Sequence, residues 1–121
     1  LRLGEKVKFL GYVSEKKKFE ILARAHMMIN PSVREGWGLV NIEANSVGTP
    51  VVAYDVPGCK DSVSEGISGF LCKAGDTQCL AELAIFLTKN SSKFSGTSKA
   101  WASRFSWEKS TKESRELIES L

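Results

Sequence analysis

The stretch that decides the fold is Asn30-Pro31-Ser32-Val33-Arg34-Glu35-Gly36-Trp37-Gly38-Leu39-Val40-Asn41-Ile42-Glu43-Ala44, which runs on to Pro50-Val51-Val52-Ala53-Tyr54. An apolar run, Met27 to Asn30, stops at Pro31 and reads as a buried strand. A loop carrying Gly36 and Gly38 follows. The pattern from Gly38 to Val47 predicts a helix, with Gly48 just past its end as a left-handed C′ residue. Pro50 to Tyr54 is then a second continuously apolar strand. Strand, glycine loop, helix and strand in that order make a parallel crossover unit.

The same alternation continues on both sides. Upstream, Glu15 to Ala25 reads as a helix with Phe19, Leu22 and Ala23 on one face and Ser14 as N-cap. Val7-Lys8-Phe9-Leu10-Gly11-Tyr12 before it reads as a strand. Downstream, Asp55-Val56-Pro57-Gly58 reads as a turn, Asp61-Ser62-Val63 as a short connecting segment, and Gly69-Phe70-Leu71-Cys72 as a strand. Asp76 or Thr77 caps a helix to about Lys89. The polar stretch Asn90 to Ser98 reads as a loop, and Ser106 caps a last helix through Glu119. Apolar strands separated by helices predict an α/β class, with a mainly parallel sheet of about four strands covered on both faces.

Composition narrows the function classes. The 121 residues suit one domain, and 42% apolar with 26% charged residues excludes wholesale disorder. Seventeen Lys and Arg against fourteen Asp and Glu give a net charge of +3. That is too little for nucleic-acid binding without a recognisable module. The run Lys16-Lys17-Lys18 sits beside Glu15 and Glu20 and reads as a solvated helix face. No apolar run approaches the ~18–20 residues of a membrane span. The start, Leu1-Arg2-Leu3-Gly4-Glu5-Lys6, lacks a signal-peptide layout and an initiator Met, so a processed or excised piece is expected. Cys59, Cys72 and Cys79 are odd in number and lack metal-ligand spacing, so they read as three free thiols in a reducing cytosol. His26, the one histidine, follows a helix end, where packing or the helix dipole explains it.

The chemistry lies in the glycine loop. In open α/β sheets, ligands bind beyond the carboxyl ends of strands. Gly36 and Gly38 let a ligand approach the backbone. The N–H groups around Gly38, Leu39 and Val40 lie at a helix N-terminus, a site suited to phosphate. Glu43 sits about one and a half turns into the helix among Ile42, Ala44 and Val47. A partly buried carboxylate requires donors, and the vicinal hydroxyls of a ribose supply a bidentate pair. Glu35, in the loop, is placed to accept hydroxyls from a sugar joined to the diphosphate. Two glutamates near a helix start also suit the dipole without any ligand. The longer Gly-x-Gly-x-x-Gly fingerprint is not completed, since Asn41 stands at its third glycine.

Pro31-Ser32, Glu35-Gly36-Trp37-Gly38-Leu39, Glu43-Ala44 and Gly48-Thr49-Pro50-Val51-Val52-Ala53 together resemble the Glu-x7-Glu motif of the retaining, GT-B-fold glycosyltransferases known as glycosyl transferases group 1. The likeness extends back to Val7-Lys8-Phe9-Leu10-Gly11-Tyr12-Val13. It runs forward through Gly58, Asp61, Val63, Gly66, Gly69-Phe70-Leu71 and Phe105-Ser106-Trp107-Glu108. The resemblance implies a Rossmann-like three-layer α/β/α fold and the later part of a donor-binding domain. It implies that Glu43 accepts the ribose hydroxyls of a UDP-, GDP- or ADP-sugar and that Glu35 contacts the transferred sugar as the catalytic carboxylate. Gly36, Gly38, Leu39 and Val40 would face the sugar and diphosphate, and Tyr12 and Val13 would lie near the base. No metal or other cofactor is implied, because helix dipole and basic side chains neutralise the leaving group.

The departures carry expectations of their own. Trp37 is a mild change from the usual Phe, Asn45 and Ser46 replace apolar or small residues and are expected to matter little, and Asp61 stands where Glu is frequent and is assigned no catalytic role. The family's diphosphate-binding Arg and Lys, and its N-terminal acceptor domain with the catalytic His, have no counterpart among these residues. Arg34, Lys16-Lys17-Lys18 and His26 do not take those places. The resemblance therefore implies a cytoplasmic hexosyltransferase-like enzyme of carbohydrate biosynthesis, peripheral at the membrane in its full form. This piece would supply the donor site and be inactive alone, partnered by the missing N-terminal domain or self-associating to cover an open sheet edge. A second reading is a nucleotide- or sugar-binding module without transferase chemistry.

Overall fold

The computed structural model of the protein describes residues 4–105. At its centre is a parallel sheet of β1 (Met28–Asn30), β2 (Val51–Tyr54) and β3 (Gly69–Cys72), in that order. Ile29 stands opposite Val52, and Val52 opposite Phe70. The crossovers are helical: α2 (Leu39–Ser46) joins β1 to β2, and α3 (Pro57–Ser62) joins β2 to β3. α1 (Glu15–Arg24) precedes the sheet; α4 (Thr77–Asn90) and α5 (Ser95–Ala102) follow it. α2 packs on β1 and β2, α4 packs on β2 and β3, and α5 lies against α2. This is the three-layer α/β arrangement that the alternation of patterns predicts.

The central strand is apolar because both its faces are covered. Val51, Val52 and Ala53 are fully buried and join Ala44, Cys59 and Leu87 in one core. The predicted caps are present. Ser14 Oγ accepts from the Lys17 amide at 3.2 Å, and Asp76 Oδ1 accepts from the Cys79 amide at 3.0 Å. Gly48 closes α2 with φ +85°, the conformation expected of a C′ glycine.

Four expectations require correction. The sheet has three strands among the described residues, because Val7 to Tyr12 pairs with none. A strand exists only through a neighbour that accepts its backbone hydrogen bonds, and here Phe9 is 97% and Tyr12 96% exposed. The Asp55–Gly58 turn and the segment after it form α3, which starts with Pro57 at its first position, where a missing N–H costs nothing. The polar stretch Asn90 to Ser98 is helical, a 3₁₀ turn at Ser91–Phe94 followed by α5. Its inward residues are small, with Ser98 and Ala102 buried, so polarity hid a packed helix face. Phe94 anchors the turn edge-on against Phe70, with ring centroids 5.4 Å apart.

The fourth correction concerns the thiols. Cys72 at the end of β3 and Cys79 in the first turn of α4 form a disulfide with Cα atoms 6.0 Å apart. The turn through Gly75 folds the helix start back onto the strand end. Only Cys59 is free, and it is buried. The inference of a reducing compartment from three free thiols therefore loses its basis. The last predicted helix, Ser106 to Glu119, lies outside the described residues. No described helix is long and apolar enough to cross a membrane.

Candidate functional site

The loop between β1 and α2 stands on a buried polar network. Asn30, the last residue of β1, donates from Nδ2 to Asn41 Oδ1 at 3.0 Å. Asn41, in the first turn of α2, donates onward to Ser62 Oγ at 2.9 Å. Ser62 in turn donates to the Gly58 carbonyl at 2.9 Å. Asn30 Oδ1 also accepts from the Ser32 amide at 3.2 Å, which turns the chain at Pro31-Ser32. Asn41 and Ser62 are fully buried, so each must be paired. Their chain ties β1, α2 and α3 together directly beneath the loop. Sequence reasoning noted Asn41 only as a missing glycine; an Asn in the first turn of an otherwise apolar helix was the signal available.

Glycines set the loop's path. Gly38 caps α2 in the left-handed region, at φ +78° and ψ +38°, where a side chain is strained. A Cβ there would also collide with Ser62 Oγ. Gly58 in α3 admits the backbone of Glu35 and Gly36 so closely that a Cβ would strike the Glu35 carbonyl. α3 thus acts as a floor for the loop.

Above this floor the helix tip is open. Gly38 offers no side-chain cap, and the first turn of α2 carries no acidic residue. The amides of Leu39 and Val40 have no carbonyl acceptor within the helix, and the dipole leaves a partial positive charge there. Leu39 is 56% exposed, so the tip faces solvent. Gly38 is buried and Val40 half-buried, while Gly36 is exposed and Glu35 half-buried in the loop.

Glu43 lies in the next turn with 18% of its side chain exposed. It lines a cavity of about 330 Å³ with Leu39, Ile42, Ser46, Lys99, Ala102, Ser103 and Phe105. Its Oε2 takes the ammonium of Lys18 on α1 at 2.5 Å. Lys18 also donates to Glu15 at 3.0 Å, and only 28% of its side chain is exposed. The lysine run is therefore not uniformly a solvated face. Hydrogen bonds to Glu43 and then Glu15 hold the Lys18 ammonium above its ordinary 10.5, with burial acting the other way.

The remaining predicted residues are placed less tightly. Val13 is half-buried just before the cap of α1, and Tyr12 stands in solvent. Glu35, Gly36, Tyr12 and Val13 do not line the Glu43 cavity. Cys59 lies under the loop. Burial pushes its thiol above the ordinary 9.0, a hydrogen bond from Asn41 lowers it, and the negative Glu35 raises it further. Trp37 packs edge-on to Phe105 at 5.4 Å, and Phe105 to Trp101 at 5.1 Å. Trp101 Nε1 donates to the Ser62 carbonyl at 2.9 Å, linking α5 to the network. Asn45, expected to matter little, is fully buried and donates to the carbonyls of Thr49 at 2.9 Å and Ser68 at 3.0 Å.

Comparison with known proteins gives one consistent likeness. The family model described as glycosyl transferases group 1 matches residues 1–104. The chain is 35% identical over 124 aligned residues to the D-inositol 3-phosphate glycosyltransferase of Corynebacterium urealyticum, covering 100% of this chain and 29% of that protein. It is 36% identical over 90 residues to the N-acetyl-alpha-D-glucosaminyl L-malate synthase of Bacillus anthracis, covering 74% of this chain and 23% of that protein. The crystal structure of Anabaena Alr3699/HepE in complex with UDP superimposes with a TM-score of 0.87 at 31% identity, covering 98% of this chain and 34% of that one. The chain thus spans 23–34% of the length of these proteins.

Proposed function

This chain belongs to the glycosyl transferases of group 1, and from that membership we propose that it carries the nucleotide-sugar donor site of a retaining glycosyltransferase. The observation that carries this reading is Glu43. Its carboxylate is largely withdrawn from water, one oxygen is held by Lys18, and it stands one turn behind an uncapped helix tip. A diphosphate at the amides of Leu39 and Val40 puts the attached ribose within reach of that carboxylate. The UDP complex of the Anabaena relative supports a nucleotide of this class.

The chemistry follows from charge. Breaking the bond between sugar and diphosphate builds negative charge on the departing phosphate oxygen. The amides and dipole of α2, fixed by Gly38 and the Asn30–Asn41–Ser62 network, are already oriented toward that charge and stabilise it without reorganisation. Glu35 accepts hydroxyls of the sugar and keeps it in register with the breaking bond. No metal is required in this scheme. The acceptor and its activation lie with parts of the enzyme beyond this donor site, so the 121-residue chain binds donor without transferring sugar.

The test is a titration with UDP, GDP and ADP followed by tryptophan fluorescence, Trp37 being beside the loop. Saturable quenching by one of them, weakened in Glu43→Ala, is the expected result. Absence of any saturable response removes the donor-site reading. Sugar transfer from a nucleotide-sugar by the chain alone would contradict the division of labour.

A further inference from the structure

Lys18 meets Glu43, the carboxylate of the proposed donor site, from a neighbouring helix. It lies on α1, twenty-five positions before Glu43 in the chain, and its ammonium closes on Glu43 Oε2. It is anchored from behind by Glu15, three residues earlier on the same helix, and its Nζ lies 5.2 Å from the centroid of the Phe19 ring. A lysine normally surrenders such contacts to solvent, because ordering its long side chain is costly and an exposed pair gains little. Here both carboxylates and the aromatic ring converge on one ammonium, and both Lys18 and Glu43 are largely covered.

We propose that Lys18 is a positioning residue for Glu43, which fixes the carboxylate's orientation so that its second oxygen is presented to the hydroxyls of an incoming ribose. This rests on the donor-site reading of Glu43 above. A carboxylate has two oxygens and about four acceptor sites. Lys18 fills part of Oε2, and no hydrogen bond among the described residues engages Oε1. Bonds from ribose hydroxyls to a carboxylate are charge-assisted and strong. Fixing its rotamer before the ligand arrives removes an ordering cost from binding. Without Lys18, the Glu43 carboxylate borders the cavity without that partner and is free to turn away.

The experiment is a calorimetric comparison of UDP and 2′,3′-dideoxy-UDP binding to the unchanged chain and to Lys18→Ala, Lys18→Arg, Glu43→Ala and the Lys18→Ala/Glu43→Ala pair. Lys18→Ala is expected to weaken UDP binding about tenfold, and Lys18→Arg to retain it within about threefold. Neither change should affect the dideoxy nucleotide, which lacks the hydroxyls that Glu43 accepts. Lys18→Ala should have no further effect once Glu43 is alanine. If Glu43→Ala weakens UDP while Lys18→Ala binds it as the unchanged chain does, or more tightly, the positioning role is wrong and the donor site stands. An equal loss for both nucleotides in Lys18→Ala also overturns the role, since it marks a general charge or folding effect. If Glu43→Ala binds UDP like the unchanged chain, or the unchanged chain does not bind it, the donor-site reading falls and the role of Lys18 with it.

Discussion

Asn30 Nδ2 donates to Asn41 Oδ1 at 3.0 Å, joining the last residue of β1 to the first turn of α2 across the whole glycine loop. The bond is buried, so its loss leaves an orphaned donor or acceptor as well as a missing contact. Asn41→Ala also strands Ser62 and is expected to lower stability by about 1–3 kcal/mol. Urea unfolding followed by circular dichroism measures this. A midpoint unchanged from the parent would mean that the network does not hold the loop.

Gly58→Ala tests the floor of the loop. The added methyl meets the Glu35 carbonyl, and backbone cannot move aside as a flexible side chain can. The loop must lift, at a cost of about 1–3 kcal/mol for overpacking. Gly66→Ala is the control, because its Cβ meets nothing within 4 Å and its cost comes from the backbone alone, at φ +76°. Gly58→Ala should reduce UDP affinity as well as stability; Gly66→Ala should affect stability alone.

Thiol counting tests the cysteine arrangement. Under native conditions, iodoacetamide followed by mass spectrometry should add no label, since Cys72 and Cys79 are joined and Cys59 is buried. Denaturant alone should expose one thiol, and denaturant with reductant three. Because burial raises the Cys59 pKa, the native thiol resists ionisation where the unfolded one does not. Its contribution to stability is complete below the ordinary 9.0 and is lost as pH rises through the higher folded value. Replacing Cys59 with Ala should therefore flatten the fall in stability above pH ~9.

Lys18 gives the opposite kind of expectation, an absence of pH dependence. Its folded pKa lies above the ordinary 10.5, so its pairing with Glu43 is fully present below that value and lost only in stronger alkali. The ratio of UDP affinities between the parent and Lys18→Ala should stay constant from pH ~6 to ~9. A ratio that changes across that range would place another titrating group in the contact.

The regular elements around the loop were legible because local signals and global packing agree there. Ser14, Gly48, Asp76 and the apolar run Val51 to Tyr54 each declare a cap or a buried strand, and each is found in that role. Val7 to Tyr12 has the propensity of a strand, but propensity cannot supply the neighbour a strand requires. Ser95 to Ala102 reads as a loop because its buried residues are the small Ser98 and Ala102. In the site, Glu43 was legible as a half-buried carboxylate, but its partner was not. Lys18 looks like its neighbours Lys16 and Lys17 in sequence, and only the approach of α1 to α2 separates them. Asn30, Asn41 and Ser62 were invisible as a set, because nothing in sequence joins positions spaced so far apart. The disulfide likewise depends on the turn that brings α4 back to β3.

The central claim is that the tip of α2 and Glu43 form a nucleotide-sugar donor site. An amide-resolved NMR titration of the chain with UDP tests it most directly. The account predicts saturable shifts centred on the amides of Gly38, Leu39 and Val40, with Glu43 and Lys18 moving together, and a need for higher UDP to produce them in Glu43→Ala. Saturable shifts confined to other surfaces, or a helix tip unmoved at millimolar UDP, would contradict it.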